Sequence, residues 1–328
     1  MAYLRAFGSH LPPRRVTNEE LAPLVGVDPA WILQVSGIEE RRYAADEDTV
    51  ASLGVLAAQD CLQKAGASPS ELGMILVASG SSERFCPGPA SQIAAGLGVQ
   101  EKFALDIPVA SCGSLIGFAL AAQLAPHAGL VLVVGAEIMS RRIDRTPEGK
   151  DTAILFGDGA GACLIDPKGG FARIADSILC TDGTASEILR VERERLIMDG
   201  KSVILQAYRK IPRAISDLLA RNSLTAADPG VFLMHQANLN LIERVATGLK
   251  VPLERFFVNI ARYGNTSSAS LLIAADEWRQ AHSGPLVAPV VFAAFGAGLN
   301  WGALLALPVG LLEDPFLSQR ARILSSAQ

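Results

Sequence analysis

Apolar residues along this chain fall into two rhythms. Short unbroken runs rich in Val, Ile and Leu predict strands buried on both faces at Met74–Ser79, Phe103–Ile107, Leu130–Gly135, Gly161–Ile165, Val231–Met234, Phe256–Asn259, Val290–Ala294 and Ala303–Leu307. Between them, Val50, Leu53, Leu56, Ala57 and Cys61 recur at helical spacing within Thr49–Ala65. Ile204, Tyr208, Ile211, Ile215 and Leu218 mark a second helix, which Pro212 should bend or end. A nearly all-apolar helix follows Cys112, and another follows His235 with Asn238 as its N-cap. Strands alternating with helices imply an α/β protein.

Two segments occur twice. FGDGAGACLI (Phe156–Ile165) is echoed by FGAGLNWGALL (Phe295–Leu305), and ELGMILVAS (Glu71–Ser79) by DPGVFLMHQ (Asp228–Gln236). Each pair keeps its order, so residues 1–166 and 167–328 read as two similar α/β halves rather than one continuous sheet. A site is then expected where equivalent strand ends meet. Gly157, Gly159 and Gly161 precede a strand and lack the GxGxxG spacing, so a dinucleotide fingerprint is excluded.

Composition narrows the classes. Half of the 328 residues are apolar and 19% are charged, yet no apolar stretch reaches the roughly 20 residues of a spanning helix, so no membrane span is expected. The opening MAYLRAFGSHLPPRR lacks the pattern of a secretory leader, which points to the cytoplasm. A formal charge of −4 argues against nucleic-acid binding. Two local basic clusters, Arg141/Arg142/Arg145 and Arg209/Lys210/Arg213, read either as solvated surface or as docking sites for an acidic partner. The five cysteines are scattered and never paired as CxxC, so they are expected to be thiols, with neither disulfides nor a zinc site.

Three residues carry candidate chemistry. Cys112 lies in VASCGS at the start of a helix, whose positive end favours a thiolate, and its small neighbours suit a tight turn that exposes a side chain. Cys61 and Cys163 read as packed structural thiols. His235 ends an apolar strand, and Asn265 sits in RYGNTSSAS just before a helix. Taken singly, each also has an ordinary structural explanation: a packed thiol, a strand-end ring, a cap or turn residue.

Together with WILQVSGIEER (Trp31–Arg41), LFGDGAGA (Leu155–Ala162), HQANL (His235–Leu239) and FGAGLNWG (Phe295–Gly302), these stretches make the chain resemble the β-ketoacyl-acyl-carrier-protein synthase III family of the thiolase superfamily. The resemblance runs from Gly8 to about Leu307. It implies a thiolase-like α/β fold, with two duplicated α/β halves whose mixed sheets sandwich buried helices, and a homodimer. The first half would carry the nucleophile and the second the histidine and asparagine. It further implies that Cys112 takes an acyl group from acyl-CoA, with the oxyanion held by the backbone N–H groups of Cys112 and Ala297. His235 and Asn265 would then donate hydrogen bonds to the thioester oxygen of malonyl-acyl carrier protein as it loses CO₂. Acyl-CoA is a substrate in this scheme, and neither metal nor other cofactor is called for.

Several positions depart from the family's pattern. Trp31 is retained for the CoA adenine, but Lys150 stands where an arginine is expected, Val35 and Asn240 replace two further arginines, and lysine cannot stack as guanidinium does. Ala297 replaces the middle glycine of the FGGG turn that begins at Phe295, itself expected beside the substrate. Cys86 takes the place of a larger residue that reaches across the dimer to cap the acyl pocket, which would lengthen that pocket. The segment from Thr181 to Met198 is shorter than usual and carries Arg190, Arg193 and Arg195, one of which, or Arg142, could accept a primer ending in a carboxylate. Two other readings stay open: a Cys-His-Asn thioester hydrolase, and an inactive partner that shapes a heterodimer. The last twenty or so residues run past the family's usual end and have no assigned role.

Overall fold

The runs that are apolar without a break are those whose alternate side chains both find cover. In the computed structural model, which describes residues 1–192 and 194–310, ten strands form one mixed sheet. They are β1 (Tyr3–His10), β2 (Leu72–Ala78), β3 (Phe103–Ile107), β4 (Leu130–Ile138), β5 (Asp158–Asp166), β6 (Ala172–Thr181), β7 (Val231–Met234), β8 (Phe256–Phe257), β9 (Val290–Gly296) and β10 (Asn300–Pro308). Their spatial order is β8-β7-β9-β10-β6-β1-β5-β4-β2-β3. Read outward from the centre, β1-β5-β4-β2-β3 and β6-β10-β9-β7-β8 are the same topology twice.

Both sequence repeats fall on equivalent strands, β5 with β10 and β2 with β7. The halves are not separate sheets, however, because Tyr3–Arg173 and Leu4–Ala172 pair antiparallel and join β1 to β6. The sequence pattern sets two halves against one sheet; the chain has both.

Helices fill the layers. The helices that position the site are α1 (Pro29–Ser36), α2 (Val50–Ala65), α3 (Gly113–Ala128), α4 (Gly200–Arg221), α5 (Leu239–Leu249) and α6 (Ser270–Ala281). On β4, Val131 and Val133 face a core shared with α3 and α6, while Leu132 and Val134 face α2 on the other side. On β9, Val290, Phe292 and Ala294 face that shared core, while Val291, Ala293 and Phe295 face α4 and α5. α3 and α6 therefore lie buried between the two halves. Phe118 of α3 bridges them, 6.3 Å from Phe7 of β1 and 5.5 Å, edge-on, from Phe292 of β9. Burying such rings and the surrounding aliphatic chains is worth about 1.5–3 kcal/mol per side chain, enough to fix the two halves against each other.

Pro212 does not end its helix: α4 runs unbroken through it for 22 residues. The ring packs where α5 comes close, and a Cβ at Gly248 would meet it at 3.2 Å. Two strands of this sheet escape the sequence pattern, β1 and β6, and both are central. Each mixes polar and apolar residues, as in YLRAFGSH and ARIADSILCT, so neither shows an apolar run. The four short strands of two outlying two-stranded sheets, Arg14–Thr17 with Glu40–Tyr43 and Leu189–Glu192 with Arg195–Met198, escape it too. Among the described residues no helix is long and apolar enough to cross a membrane. Arg193 and the chain beyond residue 310 lie outside the described residues.

Candidate active site

β2 runs parallel to β4 and β7 to β9, and the C-terminal parts of these strands meet the loops of the other half, Gly135 of β4 against Ser268 and Gly296 of β9 against Ala110 and Cys112, at strand ends of the kind where a ligand site is expected in an α/β protein. A cavity of about 620 Å³ lies there. His235, Asn265, Phe295 and Trp31 line it, with Ala110 and Ser111 at the nucleophile end. The structure thus brings four of the expected site residues to one space, although Trp31 of α1 lies more than two hundred residues before the other three in sequence.

Cys112 caps the N-terminus of α3 and is completely buried. The cavity wall is formed by the two residues before it and not by the thiol itself. Ser111 has φ +64°, a left-handed conformation that turns the chain sharply, and Cys112 N–H donates to Ala110 O at 2.7 Å. In this state the first of the two expected oxyanion donors is therefore occupied. Burial pushes the Cys112 thiol up to about 12, so desolvation opposes the helix end that was expected to produce a thiolate. The thiols of Cys61 and Cys163 are buried and raised for the same reason, so what distinguishes Cys112 is its place at a helix start against the cavity.

Gly296 explains part of the FGAG turn. A Cβ on it would lie 2.1 Å from Ala110 O and 2.8 Å from Cys112 N, so only glycine lets β9 close on the nucleophile loop. Ala297 is half-buried in the following turn and does not line the cavity, and its carbonyl accepts from Asn300 Nδ2.

His235 continues the β7 ladder, its N–H donating to Ala293 O at 2.9 Å. Its Nδ1 lies 2.5 Å from Ser270 Oγ, the first residue of α6, and that same oxygen accepts from Gln236 N–H at 3.1 Å. The Ser270 hydroxyl can donate its hydrogen to Nδ1, and in that arrangement the ring proton sits on Nε2. Burial drives the imidazole pKa down to about 3, so the ring is neutral at ordinary pH. A neutral imidazole with Nε2–H is a hydrogen-bond donor and a poor proton acceptor.

Asn265 is oriented equally firmly. Its Oδ1 accepts from Ser267 N–H at 2.9 Å, which leaves the amide N–H₂ as the free end. Its backbone is held by the LFGDG segment: Asn265 N–H donates to Leu155 O at 2.8 Å and Gly157 N–H to Asn265 O at 3.1 Å. Arg41, the last residue of WILQVSGIEER, is fully buried and donates to Ile154 O at 2.7 Å, bracing the same wall.

The remaining expectations divide. Trp31 and Val35 of α1 line the cavity. Lys150 is exposed and lies outside the lining, where its neighbour Asp151 is placed instead. Asn240 is committed to α1, donating to Val35 O at 3.1 Å. Cys86 sits in an exposed loop beyond β2 and does not line the cavity. None of the described arginines proposed to meet a carboxylate lines the cavity: Arg142 donates to Ser82 O, Arg190 pairs with Glu192 and Arg195 with Asp144. Arg193 lies outside the described residues. Sequence reasoning missed Ser267 and Ser270, although both lie inside the RYGNTSSAS stretch it singled out.

Known proteins resemble this chain over most of its length. Residues 105–183 match the family model described as 3-oxoacyl-[acyl-carrier-protein] synthase III, and residues 219–307 match its C-terminal counterpart. The β-ketoacyl-[acyl-carrier-protein] synthase III of Oleidesulfovibrio alaskensis is 35% identical over 326 residues, covering 93% of this chain and 98% of that protein. Among solved structures, the 3-oxoacyl-[acyl-carrier-protein] synthase III of Aquifex aeolicus superposes with a TM-score of 0.90 at 31% identity, covering 94% of this chain and all of the other. The priming β-ketosynthase of the R1128 polyketide biosynthetic pathway gives 0.88 at 30% identity, covering 94% of this chain and 96% of the other. The chain belongs to the 3-oxoacyl-[acyl-carrier-protein] synthase III family of enzymes.

Proposed function

We propose that this enzyme joins an acyl-CoA primer to malonyl-acyl carrier protein by decarboxylative Claisen condensation, giving a 3-oxoacyl-acyl carrier protein. In the first step the Cys112 sulfur attacks the acyl-CoA carbonyl; the carbon–sulfur bond to CoA breaks, and the CoA thiolate takes up the proton that Cys112 gives away. In the second, malonyl thioester loses CO₂ and its bonding pair stays on the α-carbon as an enolate. That carbon attacks acyl-Cys112, the bond to sulfur breaks, and the released thiolate regains a proton from solvent.

The observation that carries the reading is the pair His235 and Asn265, both lining one cavity with Nδ1 and Oδ1 each engaged by a serine, which leaves Nε2 and the amide N–H₂ as the ends that would donate to substrate. Two preorganised donors stabilise a thioester enolate where charge develops, and losing one such donor costs about 10²–10³ in rate. This arrangement favours condensation over hydrolysis, since a papain-like enzyme uses its histidine as a base oriented by the asparagine. The cavity walls contributed by Leu189, Leu196, Met198, Val203, Ile204 and Ile211 are apolar and suit a primer longer than acetyl.

The partner surface belongs to the same reading. β3 is the edge strand of the sheet and leaves Phe103 and Leu105 exposed, with Phe85 fully exposed nearby in the Cys86 loop, so a second copy of the chain is the partner this edge fits. Intact mass spectrometry after incubation with acetyl-, octanoyl- or glutaryl-CoA should show one acyl mass on the Cys112 peptide, and malonyl carrier protein should then release CO₂ and discharge it. Free fatty acid without malonyl-dependent CO₂ would mean hydrolysis, and no acyl adduct at all would remove Cys112 from the mechanism.

A further inference from the structure

The loops that carry Cys112 and Asn265 rest on a carboxylate that the reaction itself leaves unused. Glu137, near the end of β4, is completely buried. Every hydrogen bond it makes is one it accepts: from Ser81 Oγ at 2.5 Å, Ser267 Oγ at 2.9 Å, Gly80 N–H at 3.0 Å, Ser268 N–H at 3.2 Å and Ser79 Oγ at 3.3 Å. A buried carboxylate caged by neutral donors on two loops is costly to assemble and rigid once complete.

Ser267 is where this cage meets the site. Its hydroxyl donates to Glu137 and its oxygen accepts from Ser111 N–H at 3.0 Å, immediately before Cys112. Its own N–H donates to Asn265 Oδ1 at 2.9 Å. Both serines are in the left-handed region, Ser111 at φ +64° and Ser267 at φ +47°. Non-glycine residues hold that conformation only where the surroundings over-determine it, and the Glu137 hydrogen bond supplies the anchor. Ser268 tightens the same contact, since a Cβ at Gly135 would meet its carbonyl at 2.5 Å.

We infer that Glu137 is a positioning residue that acts through Ser267, holding the turn before Cys112 by the serine hydroxyl and the amide of Asn265 by the serine backbone. The inference rests on the roles proposed above for Cys112 and Asn265. It divides the two half-reactions between two parts of one serine: removing the hydroxyl frees the nucleophile turn and leaves the Asn265 contact in place, whereas altering Glu137 disturbs both.

The test uses the full chain with substitutions Ser267→Ala, Ser267→Gly and Glu137→Gln, and reads two rates per folded molecule. These are acyl-Cys112 formation by intact mass, and CO₂ release from malonyl carrier protein without primer. A displacement of about 1 Å at a reacting group costs about 10²-fold, so Ser267→Ala and Ser267→Gly should slow acylation by about 10- to 100-fold and CO₂ release by a smaller factor. Glu137→Gln should slow both by about tenfold or more. Ser267→Gly decides the matter if Glu137→Gln fails to fold, because glycine adopts the left-handed backbone without strain. Wild-type acylation in Ser267→Gly, or equal loss of both rates there, overturns the inference, as does a Glu137→Gln protein that merely melts earlier. Absence of acylation in the wild type would instead overturn the reading of Cys112.

Discussion

Lowering the pH interrogates the state of His235, on which the donor role depends. Burial holds the ring at a pKa of about 3 against an ordinary value of 6.5. Between those limits the unfolded chain binds a proton that the native imidazole refuses, so this residue removes stability as pH falls below 6.5 and has no effect above it. Each pH step below 6.5 counts for about 1.4 kcal/mol, which gives a loss of about 2 kcal/mol at pH 5. His235→Asn removes the titrating ring, so denaturation midpoints of wild type and variant should diverge by that amount between pH 7 and pH 5, with wild type losing more. NMR of protein labelled with ¹⁵N-histidine reads the ring itself, and only three other histidines, His10, His127 and His282, compete for assignment. The His235 resonances should stay neutral down to pH 5 with the proton on Nε2, and primer-independent CO₂ release should be flat across the same range. A ring that titrates near 6.5, or one protonated on Nδ1, would refute both the neutral-donor argument and the role given to the Ser270 hydroxyl.

Three further substitutions probe other parts of the site. Gly296→Ala places a methyl 2.1 Å from Ala110 O, so overpacking should cost about 1–3 kcal/mol and acylation of Cys112 should fall about 10²-fold, read by thermal melting and intact mass; a variant with normal acylation would show that the turn can give way. Ile204→Trp fills the apolar wall and should lower kcat/KM for octanoyl-CoA by about tenfold or more, with less effect on acetyl-CoA; equal rates would mean that the primer does not enter this cavity. If the exposed edge of β3 is the proposed interface with a second copy, Leu105→Arg should lower the sedimentation coefficient from that of a dimer to that of a monomer, and a wild type that is already monomeric, or a variant that stays assembled, would refute that interface.

How far the sequence discloses this molecule depends on whether a residue's environment repeats. β2, β4, β7 and β9 are legible because helices cover both faces, so every position selects for apolar side chains. β1 and β6 are hidden for a different reason, even though they join the halves. Arg5 of β1 reaches out to Asp166 at 3.1 Å, and Asp176 of β6 binds Arg221 of α4, so charge interrupts the pattern where each strand meets the surface. Burial of an ion-paired residue cannot be read from periodicity. The same limit applies to Cys112: a helix start is visible in VASCGS, but the burial that raises its thiol comes from a core assembled from both halves of the chain, which no local pattern connects to it.

The site follows a related logic. His235 announces itself as a polar residue ending an apolar strand, and Cys112 and Asn265 as polar residues just before a helix. Glu137 gives the first of these signals, a single carboxylate near the end of LVLVVGAEI, and it passes unnoticed because its partners lie in two distant segments, Ser79 to Ser81 and Ser267 to Ser268. A charged residue at the mouth of a buried strand is therefore worth asking about before its partners are known. Desolvating it is unfavourable unless donors surround it, and donors arranged that closely fix the loops they belong to. In this chain one of those loops carries the amide donor and, through the Ser267 hydroxyl, meets the turn before the nucleophile. The serines of RYGNTSSAS then act as more than helix-start residues: one engages Nδ1 of His235, the other ties Asn265 to the turn before Cys112, and neither role could be assigned until the fold brought the end of β4 and the starts of α3 and α6 together.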